Sequence, residues 1–145
     1  MTDSQAGGRD WSASRAIALL DQPWTLPILR QAFQGVKCFD AFREALELIP
    51  EVLIEGLDTM VRAGLLSRVD CCREAVKYDL TEAGRELNLL VGALEQWGEA
   101  HLPWPYGSKA VRRSRASGDL VHVGYVGEDG REVSLGEMRG RRTGE

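Results

Sequence analysis

The sequence predicts a mainly helical fold with a small β component, and three features carry that expectation. Apolar residues recur at spacings of three and four along five separate stretches up to His101. Short runs rich in β-branched and aromatic residues occur in two later places, each pair flanking a polar turn. With 145 residues, the chain is long enough to bury one ordinary core.

In chain order, WSASRAIALLDQPW sets Ile17, Leu20 and Trp24 on one stripe and predicts a first helix, which Gln22-Pro23 interrupts. TLPILRQAFQG reads as a second helix with Thr25 as its cap and Pro27 tolerated in the first turn. Its inner stripe is Leu26, Leu29 and Phe33, and it ends near Gly35. In KCFDAFREALELI the same spacing selects Phe39, Phe42 and Leu46. Pro50 closes that helix and opens PEVLIEGLDTMVRAG, with Leu53, Leu57, Met60 and Val61 expected inside and Gly64 as the stop. The period then shortens: LLSRV and AVKYDL around the polar DCCRE predict a two-stranded hairpin. Thr81 is expected to cap a long helix with Glu82 in its first turn. Leu87, Leu90, Val91, Leu94 and Trp97 lie along one side, and LPWPYG ends it. SKAVRRSRASG reads as an exposed basic linker, and LVHVGYV and REVSL flank an Asp129-Gly130 turn as a second hairpin. The expected organisation is a flexible N-terminus over 1–10, a main domain over 11–105, a basic linker over 106–118, a β-hairpin over 119–136 and a frayed tail over 137–145. Four helices, a hairpin and a long helix follow the order of a winged helix-turn-helix, here with a C-terminal helix suited to dimerisation and an extra C-terminal β-hairpin.

Composition excludes several classes. Hydrophobic residues make up 43% and charged residues 28%, within the globular range. No apolar run is long enough for a membrane helix, and three cysteines do not suggest a disulfide framework, so a soluble cytoplasmic protein is expected. Charge is uneven: Met1–Pro105 holds ten basic against sixteen acidic residues, and Tyr106–Glu145 holds eight against six. The main domain is thus acidic, whereas duplex binding draws on Lys and Arg contacts to phosphate.

Four stretches, SRAIALLDQPWTLPILRQAFQG, FDAFREALELIPEVLIEGLDTMVRAGLLSR, KYDLTEAGRELNLLVGAL and LEQWGE, resemble the HxlR-type family of bacterial winged-helix transcription regulators across roughly residues 11–100. Trp24-Thr25 ahead of Ile28-Leu29-Arg30, Ala63-Gly64-Leu65, and Tyr78-Leu80-Thr81-Gly84 carry the likeness in order. It implies a homodimer, paired through the first and last helices, that binds an operator and responds to a metabolite or to thiol oxidation. Two departures stand out. Trp11 occupies the place where many members carry an oxidant-sensing cysteine, so that mechanism does not transfer. In the recognition helix, Ile49, Glu51, Ile54 and Gly56 stand where the family places a small hydroxyl cap followed by Asn, Ser and Arg.

The candidate DNA-contacting residues are therefore Glu51, Ile54, Glu55, Asp58 and Arg62 on the recognition helix, with Arg68, Arg73 and Lys77 on the wing. Helical spacing puts Glu51, Glu55, Asp58 and Arg62 on one outer face, three of them acidic. Asp70, Glu74 and Asp79 offset the wing cations. Arg112, Arg113 and Arg115 either compensate the acidic stripe or belong to a plain tether. A candidate ligand site gathers Trp11, Arg15, Trp24, Trp97, His101, Trp104 and Tyr106 around a flat aromatic molecule; Trp24 and Trp97 also read as core or dimer-contact residues. Cys71-Cys72 at the wing tip read as reduced thiols, His101 and His122 form no metal-ligand spacing, and no cofactor is implied. No recognisable catalytic motif is present. The leading expectation is a ligand-responsive, DNA-binding transcription regulator. The alternative is a repurposed winged-helix dimer that has lost DNA and binds or transforms a small aromatic or polyketide-like molecule between subunits. A third reading is a scaffold whose acidic face docks a basic protein.

Overall fold

The computed structural model describes residues 12–71, 75–102, 104–107 and 110–138. The chain divides into two compact units, Met1–Val91 and Gly92–Glu145. The expected N-terminal segment 1–10, Trp11, and Cys72 and Arg73 at the wing tip lie outside the described residues.

The first unit runs α1 (Ser12–Leu20), α2 (Thr25–Phe33), α3 (Phe39–Leu46), α4 (Pro50–Arg62), β1 (Leu66–Cys71), β2 (Ala75–Leu80) and α5 (Glu82–Glu86), and it includes the start of α6 (Asn88–His101). The winged-helix order is present. Its core is a single cluster in which Ile28, Leu29, Phe42, Leu53 and Leu57 are fully enclosed, with Met60, Leu65, Leu66 and Tyr78 almost so. Leu53, Leu57 and Met60 recur at four- and three-residue intervals, so α4 turns one unbroken apolar face inward. Pro50 stands in its first turn, where no N–H is needed, and Gly64 reverses the chain at φ +78°.

Two helix expectations change. Thr25 does not cap α2: Trp24 is the cap residue, while Thr25 turns inward at 1% exposure. The inner stripe is Thr25, Ile28, Leu29 and Ala32, with Leu26 and Phe33 packed at its margin. The helix after the wing is not continuous, because it divides at Leu87 into α5 and α6. Thr81 does cap α5: its hydroxyl accepts from the Gly84 N–H at 3.0 Å and donates to the Gly64 carbonyl. Along the expected apolar side, Val91 is buried, while Leu90, Leu94 and Trp97 are exposed, as are Ile17 and Leu19 of α1.

β1 and β2 pair antiparallel from Leu66–Leu80 to Cys71–Ala75. Directly opposed residues share a face, so Leu66, Arg68 and Asp70 lie with Val76, Tyr78 and Leu80, and Ser67 and Val69 lie with Lys77 and Asp79. The stretch before α3, expected to be helical, instead adds to this ribbon: Tyr78 N–H donates to the Lys37 carbonyl at 2.8 Å, and Cys38 bridges Lys77.

Burial pushes the Tyr78 phenol above its usual pKa, with Arg68 opposing and Asp58 and Asp70 adding to the rise. Because the folded value is raised, the associated stability is complete below the unfolded pKa of about 10 and is lost as pH climbs through the folded value. Melting temperatures followed across that alkaline range should fall more steeply for the natural chain than for Tyr78→Phe. Parallel curves would contradict this assignment.

In the second unit, the remainder of α6 is accompanied by two short hairpins rather than one. β3 (Arg112–Arg113) pairs with β4 (Leu120–Val121), and β5 (Tyr125–Val126) pairs with β6 (Glu132–Val133). The segment 106–118, read as a linker, therefore contributes a strand. The expected hairpin forms across the Asp129-Gly130 turn as β5–β6, but only Tyr125–Val126 of its first run takes part, because Leu120–Val121 pairs backward with Arg112–Arg113. Gln96 secures the extension to α6, its Oε1 accepting from the Val123 N–H at 2.8 Å and its Nε2 donating to the Val123 carbonyl at 3.0 Å. A 3-10 turn, Leu135–Glu137, carries a capping box with Ser134, so the start of the expected frayed tail is ordered; residues 139–145 lie outside the described residues.

Candidate nucleic-acid interface

α4 is held against α2 by Gly56, at which a Cβ would stand 2.9 Å from the Trp24 ring and 3.0 Å from Ile28 Cδ1. Gly56 is therefore an inward packing position, in keeping with its departure from the polar residues that the family places in this helix. The outer face carries Glu51, Ile54, Glu55, Asp58 and Arg62, all exposed, with Ile54 at 50% and the cap residue Ile49 at 62%. The structure thus collects the five recognition-helix candidates on one surface. Glu51 also has a local reason to be acidic, since a carboxylate in the first turn complements the helix dipole, and α4 has no side-chain cap. Arg62 Nη2 donates to Thr59 Oγ1 at 3.3 Å.

The described cations of the wing do not gather on one face. Arg68 and Lys77 are exposed but occupy opposite faces of the ribbon, so they do not form one basic patch. Arg68 Nε lies 3.6 Å from Asp70 Oδ1, and Asp79 Oδ1 lies 2.9 Å from Lys37 Nζ. In the sequence KCFDAF reads as the opening of a helix, so nothing there marks Lys37 as the ion-pair partner of Asp79. Chemically, the outer face of α4 offers acceptors and two aliphatic groups. A carboxylate can accept from the cytosine N4 amino group, and an aliphatic side chain can meet the thymine methyl, whereas guanine presents only acceptors in the major groove.

Of the seven ligand-site candidates, Trp11 lies outside the described residues, Arg15 and Trp24 belong to the first unit, and Trp97, His101, Trp104 and Tyr106 belong to the second. Trp24 packs in the first unit against Gly56, beside Ile28 of the core, and Arg15 is exposed on α1. Trp97 and His101 lie with ring centroids 4.9 Å apart on α6, and Trp104 and Tyr106 meet edge-on at 6.4 Å. The second unit holds an open groove of about 390 Å³, lined by Glu95, Glu99, Val111, Arg112, Leu120 and others, which uses none of the six described candidates. Among the described residues, no cluster of three or more His, Cys, Asp or Glu side chains could hold a metal ion. Nor is any helix long and apolar enough to cross a membrane.

A profile described as HxlR-like helix-turn-helix matches residues 19–105. The chain belongs to this family. Among its relatives, a Mycobacterium tuberculosis (strain H37Rv) protein named "Uncharacterized HTH-type transcriptional regulator Rv3095" is 38% identical over 110 residues, covering 74% of this chain and 70% of that protein. The crystal structure of PA1607, described as a candidate transcription factor, is similar with a TM-score of 0.81 at 27% identity, covering 96% of this chain and 99% of the other. PA1374 from Pseudomonas aeruginosa, described in the same way, gives a TM-score of 0.66 at 28% identity over 89% and 90% of the two chains. This HxlR-like chain is therefore a winged-helix member of a transcription-regulator family, and its likeness to PA1607 extends through the C-terminal hairpins as well as the winged helix.

Proposed function

We propose that the protein acts as a homodimeric transcription regulator that places α4 in the major groove of an operator. The observation that carries this reading is the outer face of α4, where Glu51, Ile54, Glu55, Asp58 and Arg62 stand together at the position of the recognition helix. Glu51, Glu55 and Asp58 accept from cytosine amino groups, and Ile54 meets thymine methyls, so the half-site is rich in pyrimidines on the strand that α4 faces. Arg62, Arg68 and Lys77 stand nearest the backbone. The exposed apolar side chains Ile17 and Leu19 on α1, and Leu90, Leu94 and Trp97 on α6, support pairing of two copies through these helices. An effector of mixed apolar and polar character fits the groove beside Glu95 and Arg112, which is within the size range of small-molecule sites.

Fluorescence anisotropy with the duplex upstream of its own gene and with a random duplex, at about 50 and 200 mM salt, tests the reading. Specific binding that weakens by orders of magnitude over this interval is the expected result. Absence of binding to both duplexes at the lower salt would overturn it and leave the repurposed dimer as the better account.

A further inference from the structure

We propose that the β3–β4 hairpin is a second, basic wing whose crest arginine, Arg115, contacts duplex phosphate, with Arg113 beside it. The inference rests on the DNA-binding reading above and addresses the difficulty that reading leaves. α4 presents three carboxylates and one guanidinium outward, and of the first wing's cations Arg68 and Lys77 stand on opposite faces while Arg73 lies outside the described residues. Since neutralisation of phosphates supplies most non-specific affinity, positive charge must come from elsewhere in the chain.

Lys109, Arg112, Arg113 and Arg115 place four of the eighteen basic residues within seven positions. The structure gives three of them separate tasks, while Lys109 lies outside the described residues. Arg112 turns toward α6, with Nη2 2.7 Å from Glu95 Oε2, and ties the hairpin to the helix. Arg113 is exposed and donates through Nη1 to the Gly118 carbonyl at 2.9 Å, bracing the loop. Arg115 is exposed at the crest.

The crest is held in one shape. Ser114 N–H donates to the Asp119 carbonyl at 2.9 Å, and Gly118 N–H donates to the Ser114 carbonyl at 2.8 Å. The Ser114 hydroxyl accepts from Ala116 N–H at 3.2 Å and Ser117 N–H at 3.3 Å, while Gly118 turns the chain at φ +78°. A loop so braced loses little backbone freedom when it binds, which favours contact with a partner. A guanidinium offered from it can engage phosphate oxygens through two parallel N–H bonds. Asp119 is the sole carboxylate within the 112–121 hairpin, so the charge facing outward is positive.

Anisotropy titrations of the full chain against a mixed-sequence duplex, at several salt concentrations from about 50 to 200 mM, test the proposal. Arg115→Ala is expected to weaken binding roughly tenfold at the lowest salt and to reduce the slope of log affinity against log salt by about one for each phosphate no longer engaged. Arg115→Lys should keep the slope, since the charge is retained. Arg131→Ala, which removes an exposed arginine from the other hairpin of the same unit, should change neither quantity. A steep natural slope that Arg115→Ala leaves intact would overturn the second wing while the DNA-binding reading stands. If the natural chain binds no duplex, both fall together.

Discussion

Replacing Gly84 by alanine is expected to destabilise the first unit by roughly 3 kcal/mol, near the upper end of what overpacking usually costs. The sign is informative, because alanine is ordinarily better than glycine in a helix by about 1 kcal/mol. A Cβ at Gly84 would run into the Leu65 carbonyl, which is backbone and cannot rotate away. That carbonyl is itself held, accepting from the Thr81 N–H at 3.0 Å, while Thr81 also binds the carbonyl of Gly64. The turn before β1 and the first turn of α5 are thus fastened to each other at one glycine. Gly98, on α6, serves as the contrast, since a methyl group there would meet nothing within 4 Å. Gly98→Ala should leave stability unchanged or raise it by up to about 1 kcal/mol. Urea denaturation followed by circular dichroism compares the two, and equal midpoints for Gly84→Ala and the natural chain would refute the close-approach argument.

The triple variant Glu51→Gln, Glu55→Gln, Asp58→Asn should bind duplex about ten- to a hundredfold more tightly at low salt. Each carboxylate lies on the exposed face of α4, and each opposes the phosphate field when that face enters a groove. Removing three such repulsions corresponds to roughly 1.5–3 kcal/mol, and the gain should shrink as salt rises because these groups are fully accessible to counterions. Discrimination between sequences should fall at the same time, because amides donate as well as accept and can address adenine and guanine edges as readily as cytosine. The check is anisotropy on the random and upstream duplexes in parallel. Unchanged affinity for both would mean that α4 does not face DNA. The Glu51 change alone should cost α4 a few tenths of a kcal/mol, since it removes a favourable charge from the first turn.

The winged-helix order was legible because its signals are local. Pro50 and Gly64 bracket α4, and Leu53, Leu57 and Met60 repeat at helical spacing, so their inward face could be assigned before any packing partner was known. The outward acids followed from the same periodicity. Non-local geometry was not legible. Gly56 lies three residues after Leu53 and four before Met60, so the same spacing turns it inward, but the need for glycine there comes only from the approach of Trp24 and Ile28. Thr25 has the composition of a cap, but the Gln22-Pro23 turn brings it one position too far into the helix, where its side chain is enclosed. The β3 strand was missed because Arg112–Arg113 has no strand-like composition. It is ordered by Glu95, 17 residues earlier in the chain, and by the later Leu120 and Val121, which no short window brings together. The aromatic residues differ for a related reason: Trp24 packs at the margin of the core, as one of its two readings has it, whereas Trp97, Trp104 and Tyr106 are exposed, and composition alone does not separate these surroundings.

The exposed apolar side chains of α1 and α6 bear on how sharply the protein could act. If two copies close over Ile17, Leu90, Leu94 and Trp97, the DNA-competent species forms in proportion to the square of the free chain concentration while the single chain predominates. A twofold rise in expression would then give close to a fourfold rise in occupancy at a weakly filled site. Pairing through these helices would thereby make occupancy respond more steeply than in proportion to the supply of protein.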